Sequence, residues 1–469
     1  MVADFDVAII GSGIAGLSAA VAAAQAGAQV LLAESEARIG GSSRLSTGIM
    51  MGAGTRMQRA QGITDSPDAL FQDYMTANHW DVEIGAVRRL ADECGPAIEW
   101  LADGGLEFRP EILFAGGEAV PRGHSPVGEG EAIVRTLTAM AKRTGRVEVA
   151  LGRRVDRLLT DGRGAVCGIA AGDDELTAAA VILASGGFGA NASLLEEHFP
   201  SSRLAGDWSW YIGADSARGD GLHLATQVGA HITGHDRGHC GLRTNFGHEV
   251  EASYLPGWLL LVLPDGTRCC NEMSPYGMTY QILRARGGRA FAVFDEAAKR
   301  AAQPRTSGNA KKVRIPGQSH EDWVEPMIDL MLEAGKVVRR DTLAELADAI
   351  AVPVATLQGT VATYNGDLAA GGDRLYRKDP AVLREIATAP FYAVEMRLSM
   401  LSLTATGPRI DAGARVLRPT GAPIEGLYAA GEVVGGVLGK TYLGSGNSVS
   451  NCLTYGRIAG TEAAAAVTR

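Results

Sequence analysis

The chain has no block of lysines and arginines and no basic stripe with interleaved aromatics. Its 44 basic and 53 acidic residues give a net charge of −9 and a pI near 5.6. Phosphate-backbone binding needs clustered positive charge, so no nucleic-acid partner is expected. No apolar run reaches the ~18 residues that span a bilayer, which excludes an integral membrane helix. Met1-Val2-Ala3-Asp4 runs directly into an apolar segment; this leaves no room for a signal peptide, and a cytoplasmic protein is expected. The six cysteines, Cys94, Cys167, Cys240, Cys269, Cys270 and Cys452, form no CxxC and no cysteine–histidine group at zinc spacing. Adjacent Cys269 and Cys270 would face opposite sides of a strand, which suits a structural role. His231, His235 and His239 recur every four residues, but Thr233, Gly234, Asp236 and Gly238 disfavour the helix that would converge them, so no metal is expected.

Glycine is what the chain has in excess: 61 of 469 residues, about 13% against a usual ~7%. It is gathered in motif-like clusters, as suits a fold that holds a large ligand with its backbone. The first cluster lies in Asp4 to Ser43, which reads as a nucleotide-binding βαβ unit. An apolar run, Val7 to Ile10, ends in Gly11-Ser12-Gly13-Ile14-Ala15-Gly16; an Ala-rich helical segment follows, then a strand Gln29 to Ala33 closed by Glu34 and Ser35. Gly11 permits the tight turn, Gly13 lets the backbone approach a pyrophosphate, and Gly16 lets the helix pack closely on the strand. Ile14 and Ala15 open the helix, where unpaired N–H groups attract phosphate. Glu34 stands where a carboxylate accepts hydrogen bonds from ribose hydroxyls, which argues against a 2′-phosphate. NAD and FAD share this fingerprint. A second Gly/Ser loop, Arg38-Ile39-Gly40-Gly41-Ser42-Ser43, favours FAD, because it brings more backbone donors against a long extended cofactor.

Further along, apolar residues at three- and four-residue spacing predict helices over 68–77, 85–103 and 131–143. A hairpin-like run over 154–160 and 164–171 precedes a strand, Ala178 to Ala184. That strand breaks at Ala184-Ser185-Gly186-Gly187, a place for close backbone approach to a cofactor. Asp220, before the helical segment Leu222 to Gly229, is either its N-cap or a cofactor contact. From about residue 237 the chain has more Trp, Pro and charge and fewer glycine turns, including a strand over 254–263 and helices over 342–350 and 354–365. Nucleotide-type character returns in Gly407-Pro408-Arg409-Ile410-Asp411 and in Gly426-Leu427-Tyr428-Ala429-Ala430-Gly431-Glu432. The expected organisation is α/β, with a first domain over 1–236, an inserted domain over 237–397, and the first domain completed by 398–469.

The pieces GSGIAG, RIGGSS, ASGGFGAN, ARGDGLHLA, DGTRCCNE and GLYAAGEVVGG, in this order from end to end, resemble the flavoprotein family of soluble fumarate reductases and 3-ketosteroid dehydrogenases. The resemblance implies a Rossmann-like FAD-binding domain of the glutathione reductase type with an inserted α+β capping and catalytic domain. FAD would be cradled by the first and last segments, with Gly431, Glu432, Ser448 and Val449 completing its site, and the inserted domain would close over the isoalloxazine. The succinate dehydrogenase branch attaches its flavin through a histidine near the second glycine loop. Gly41 to Ser46 contains none, so FAD is expected to be non-covalent.

Two positions set the branch. Fumarate reductases carry a proton-donating arginine as the sixth residue of the motif beginning Asn-Glu; here Asn271-Glu272-Met273-Ser274-Pro275 is followed by Tyr276. Their carboxylate-clamping arginine lies in a GANRLGG-like motif, where this chain has Gly439-Lys440-Thr441-Tyr442-Leu443-Gly444-Ser445-Gly446. Their His-Thr pair is replaced by Leu403-Thr404-Ala405-Thr406-Gly407. A dicarboxylate in a closed site needs charge-assisted bidentate partners, which a phenol cannot supply; a neutral ketone does not. The resemblance to ketosteroid dehydrogenases implies that Tyr276 removes a proton, while Tyr442 and the Gly446 N–H hold the ketone oxygen. The reaction would be α,β-desaturation, with hydride passing to flavin N5 and electrons then to a quinone-like acceptor or oxygen. Enzymes that desaturate the 1,2 bond carry another tyrosine in the N-terminal region; between Phe108 and Gly130 the closest aromatic is Phe114. Three alternatives stay open: 4,5-desaturation or a smaller cyclic ketone as substrate, the reverse reaction as an enone or acrylate reductase, and a flavin-binding sensor whose tyrosines only pack.

Overall fold

The computed structural model describes residues 3–246, 255–302 and 323–467. The chain divides into two compact units, one of residues 1–200, 211–239 and 402–469, the other of 201–210 and 240–401. Composition places the changes of character at 237 and 398. The excursion at 201–210, too short to shift local composition, joins the second unit only through its contacts.

The first unit starts with β1 (Phe5–Ile10), α1 (Ile14–Gln25) and β2 (Val30–Ala33). Val7–Ile10 and Val30–Ala33 are wholly buried, which is why these strands read as continuous apolar runs instead of alternating ones. α1 is buried on every side from Ile14 to Ala24, a helix of the deep interior. Then come β3 (Met50–Met51), α2 (Pro67–Ala77), α3 (Ile84–Asp103), β4 (Phe108–Leu113), β5 (Gly123–Pro126), α4 (Glu129–Thr144), β6 (Val147–Ala150), β7 (Arg157–Thr160), β8 (Val166–Ala171), β9 (Asp174–Leu183) and α5 (Asp220–Gln227). Each helix and strand expected up to residue 184 is present, with its ends moved by a few positions.

The second unit contains β10 (Leu260–Val262), α6 (Tyr276–Arg284), β11 (Arg289–Asp295), β12 (Val338–Arg340), α7 (Leu343–Ala349), α8 (Val354–Ala369) and β13 (Phe391–Thr404), whose last residues return to the first unit. The strand expected over 254–263 is shorter than its apolar run, and Tyr254 lies outside the described residues. β11 pairs antiparallel with β10 (Leu260 opposite Val293) and β13 (Ala292 opposite Val394). Leu260, Val262, Phe291 and Val293 share one face of this sheet, packed with Leu346 of α7 and with Leu357 and Val361 of α8.

The chain returns to the first unit with β14 (Arg415–Leu417), β15 (Pro423–Ala429) and α9 (Asn447–Val467). The finished sheet runs β14-β15-β9-β1-β2-β6, parallel from β15 to β6, with β7, β8 and β9 as an antiparallel meander. α1 carries the chain from β1 to β2 on one side, while β9 lies on the other. The carboxyl ends of these three strands therefore frame the crevice in which open α/β sheets bind ligands. α9 lies against α1 through small residues: a Cβ on Gly456 would meet Ala15 O and Ser18 Cβ, and one on Gly460 would meet Ala19 O. Among the described residues no helix is long and apolar enough to cross a membrane.

Candidate functional site

A cleft opens at those three strand ends, the place where open α/β sheets bind ligands. The β1–α1 turn contributes Gly11, Gly13, Ile14 and Ala15, and the end of β2 contributes Glu34 and Ser35. Gly41, Ser42 and Ser43 line it from the second glycine loop, Ala184 and Gly186 from the end of β9, and Asp220 and Glu432 from elsewhere in the unit. Gly11 has φ of +102°, and a Cβ there would run into the Ala184 carbonyl and Ser185 Cα, so the turn demands glycine. The buried Glu34 carboxylate is fixed by its surroundings: Oε2 accepts from Ser12 N–H at 3.0 Å and Ser12 Oγ at 2.5 Å, and Oε1 from Glu36 N–H at 2.9 Å. Helix N-terminus, organised acid and glycine loops in one cleft match the donor and acceptor set that FAD requires.

Four expected cofactor residues lie outside the cleft wall. Gly16 packs α1 on the sheet, since its Cβ would strike Gly11 O; a Cβ on Gly431 would meet Ala15 Cβ at 2.8 Å and Cys452 Sγ at 3.2 Å. Val449 packs half-buried against the core, and Ser448 bonds Tyr442 instead. Asp220 is not an N-cap: Gly219 holds that position and Asp220 is the first residue of α5, its carboxylate 2.6 Å from Arg154 Nη1. Ser12, Ser185 and Cys452 also line the cleft, as does the stretch Arg153–Val155. Ser12 and Ser185 were legible inside the glycine motifs. Arg153–Val155 follow β6 and reach the cleft only because β6 pairs with β2, which no local pattern announces.

Glu432 is half-buried, with Oε1 accepting from Thr404 N–H at 3.0 Å and Thr404 Oγ1 at 3.1 Å. Burial pushes its carboxyl above the usual range, and the Thr404 bonds pull it part of the way back. Beyond it stands Tyr442, packed against Leu403, Ala405 and Leu438 and stacked on His239 with ring centroids 5.5 Å apart. The Tyr442 hydroxyl lies 3.0 Å from Ser448 Oγ and accepts the Ser448 N–H at 3.2 Å. Burial raises its pKa, the Ser448 bonds opposing, so Tyr442 is held as a neutral phenol able to donate. Gly446 has φ of +94°, and a Cβ there would meet Met51 N at 2.8 Å. Its carbonyl accepts from Met51 and Ser450, while its N–H donates to no acceptor among the described residues. His231 and His235 do not join His239 in a metal group; no such cluster of three His, Cys, Asp or Glu occurs among the described residues.

Tyr276, in the second unit, is the half-buried first residue of α6, following Pro275. The unpaired N–H groups of a helix start favour negative charge there. The segment leading to it is anchored by a buried ionic network. Arg268 grips Glu272 (Nη2 to Oε2, 2.8 Å) and Asp373 (Nη2 to Oδ2, 2.8 Å), and Lys378 Nζ lies 2.9 Å from Glu272 Oε2. The Arg268 guanidinium lies over Tyr376 at 4.5 Å and over Tyr364 at 5.3 Å. Asn271 donates to Tyr376 O at 3.1 Å. Burial holds the Lys378 ammonium below its ordinary range against the pull of Glu272. Cys269 and Cys270, both buried free thiols, sit inside this anchored stretch. Replacing Glu272 by Ala leaves Arg268 and Lys378 short of a carboxylate; a loss of about 3–5 kcal/mol is expected on the scale of broken buried pairs. Urea denaturation of the purified variant measures it, and a loss below ~1 kcal/mol, the size of an exposed pair, would show that the network is not energetically buried.

Sheet, cleft and glycine loops together define a flavin-binding oxidoreductase. The chain belongs to the FAD binding domain family, whose profile matches residues 6–449. It is 31% identical to the fumarate reductase (cytochrome) of Shewanella frigidimarina over 98% of this chain and 77% of that protein. To the urocanate reductase of Eggerthella lenta it is 29% identical, over 98% of this chain and 75% of that one. Among solved structures it is similar to the 3-ketosteroid-Δ4-(5α)-dehydrogenase of Rhodococcus jostii RHA1 in complex with 4-androstene-3,17-dione, with a TM-score of 0.81 and 28% identity, covering 98% of this chain and 96% of that one. The protein is an FAD-dependent oxidoreductase acting on CH–CH groups or their carbon–carbon double bonds.

Proposed function

We propose that the protein desaturates a cyclic ketone next to its carbonyl, with 3-ketosteroids as the first candidates, using non-covalently held FAD and a quinone-like acceptor or oxygen. The observation that carries this reading is the pair formed by the Tyr442 hydroxyl and a Gly446 N–H that has no acceptor among the described residues, both on one loop. Two neutral donors suit a ketone oxygen and the enolate that develops from it; they do not suit a carboxylate, which needs charged bidentate partners. FAD, when bound, supplies the acceptor for the hydride. Tyr276 is assigned the α-proton, at a helix start that favours its phenolate. The similarity to the Rhodococcus jostii dehydrogenase supports the same substrate class. The relatives named as reductases keep the reverse reaction, reduction of an enone, as the second reading.

Anaerobic addition of saturated 3-ketosteroids and smaller cyclohexanones to the flavoprotein is expected to bleach its flavin absorbance, and succinate is not. Bleaching by succinate alone would overturn the assignment, while turnover of enones with a reduced dye but no bleaching by ketones would select the reverse direction. Tyr442→Phe is expected to raise the ketone dissociation constant and slow flavin reduction together, with a rate loss on the order of 10²–10³ if the contact tightens toward the enolate. Stopped-flow reduction against ketone concentration separates the two effects. Unchanged values of both would remove Tyr442 from the site.

A further inference from the structure

The loop after β4 holds a buried acid that the reaction itself does not use. Glu118 is 7% exposed; one carboxylate oxygen accepts the Ala115 N–H, and the other has no partner among the described residues. Ala115 is the first residue of a short strap laid along the loop that carries Tyr442 and Gly446. Ser445 N–H donates to Ala115 O at 2.8 Å, and Gly117 N–H donates to Leu443 O at 2.7 Å. Gly116 and Gly444 face each other as an antiparallel bridge, so closely that a Cβ on Gly444 would lie 2.7 Å from Gly116 Cα. The strap thus fixes Leu443 to Ser445 on one side, and β3 fixes Gly446 on the other through Met51 N–H.

We propose that Glu118 is a positioning residue for the ketone-oxygen site: by holding Ala115 it locks the strap, and the strap sets the direction of the Gly446 N–H beside Tyr442. This rests on the reading of Tyr442 and Gly446 as the oxyanion donors. Burial raises the Glu118 pKa, with the Ala115, Glu118 and Gly116 N–H groups opposing, as expected of a carboxyl kept for its geometry at a cost in solvation.

The test uses 4-nitrophenolate as an enolate mimic, titrated into the flavin-loaded enzyme and followed by its absorbance shift. Glu118→Ala is expected to raise its dissociation constant about tenfold, the size of one lost hydrogen bond to a charged partner, with flavin content and flavin spectrum unchanged. Glu118→Gln keeps an acceptor for Ala115 N–H and is expected to stay within about twofold of the parent protein, since the geometry survives the loss of charge. Should Glu118→Ala not accumulate in folded form, Glu118→Asp carries the test, because its carboxylate falls one methylene short of the same N–H. Parent-like binding in Glu118→Ala or Glu118→Asp overturns the proposal, as does a Glu118→Gln defect as large as that of Ala. Tyr442→Phe separates the two levels. If it weakens 4-nitrophenolate and Glu118→Ala does not, only the positioning role falls. If it also has no effect, the oxyanion reading falls first.

Discussion

Tyr276→Phe is expected to retain ketone binding while flavin reduction slows by roughly 10²–10⁴, the range for removal of a positioned general base. The phenol is lost, but the donors assigned to the ketone oxygen, Tyr442 and Gly446, lie on a separate segment of the chain. Binding and chemistry should therefore separate: the dissociation constant moves little and the limiting rate collapses. The substitution removes only the hydroxyl, and the ionic network of Arg268, Glu272, Asp373 and Lys378 still anchors the backbone leading to residue 276. Stopped-flow flavin reduction across a range of ketone concentrations measures both quantities. A limiting rate within about threefold of the parent would exclude Tyr276 as the base, being far short of general-base catalysis. Tyr276→Arg is expected to confer no fumarate reduction, since the position of the carboxylate clamp would still be Tyr442.

Gly13→Val is expected to give a folded protein without flavin. Its neighbour Gly11 could not make this distinction: with φ of +102° and the Ala184 carbonyl in the path of a Cβ, any side chain there strains the turn itself. Gly13 has ordinary backbone angles, φ −66° and ψ −176°, and a Cβ would meet only Ser43 Oγ, at 3.2 Å. The fold can absorb that contact. The branched methyls, however, would project into the cleft where the pyrophosphate approaches the start of α1. Flavin absorbance per protein and circular dichroism of the same sample decide the matter. A full complement of flavin would mean that the pyrophosphate lies elsewhere, and loss of the folded signal would mean that Gly13 serves the turn, not the ligand. Glu34→Ala should be milder, because it removes ribose hydrogen bonds without filling the space.

The sequence by itself determined the parts of this protein whose reasons are local. The βαβ unit was legible because turn, helix start and buried strand each impose their own residues at fixed spacing: glycine at 11, 13 and 16, unbroken apolar runs at 7–10 and 30–33, and an acid at 34. That Tyr276 and Tyr442 stand where the family resemblance implies arginines is proposed from the sequence alone, since a change of side-chain charge needs no coordinates to be seen. The tertiary structure decided what depends on which distant segments meet. It brought Arg153–Val155 to the cofactor cleft through the pairing of β6 with β2, assigned 201–210 to the second unit, and, of the two readings open for Asp220, removed the helix cap and placed its carboxylate on the cleft wall beside Arg154. It turned His239 from a doubtful metal ligand into the ring stacked on Tyr442, and laid the strap of Glu118 along the loop of Gly446. No periodicity carries these pairings, because each joins residues far apart in the chain through contacts that exist only once the chain has folded.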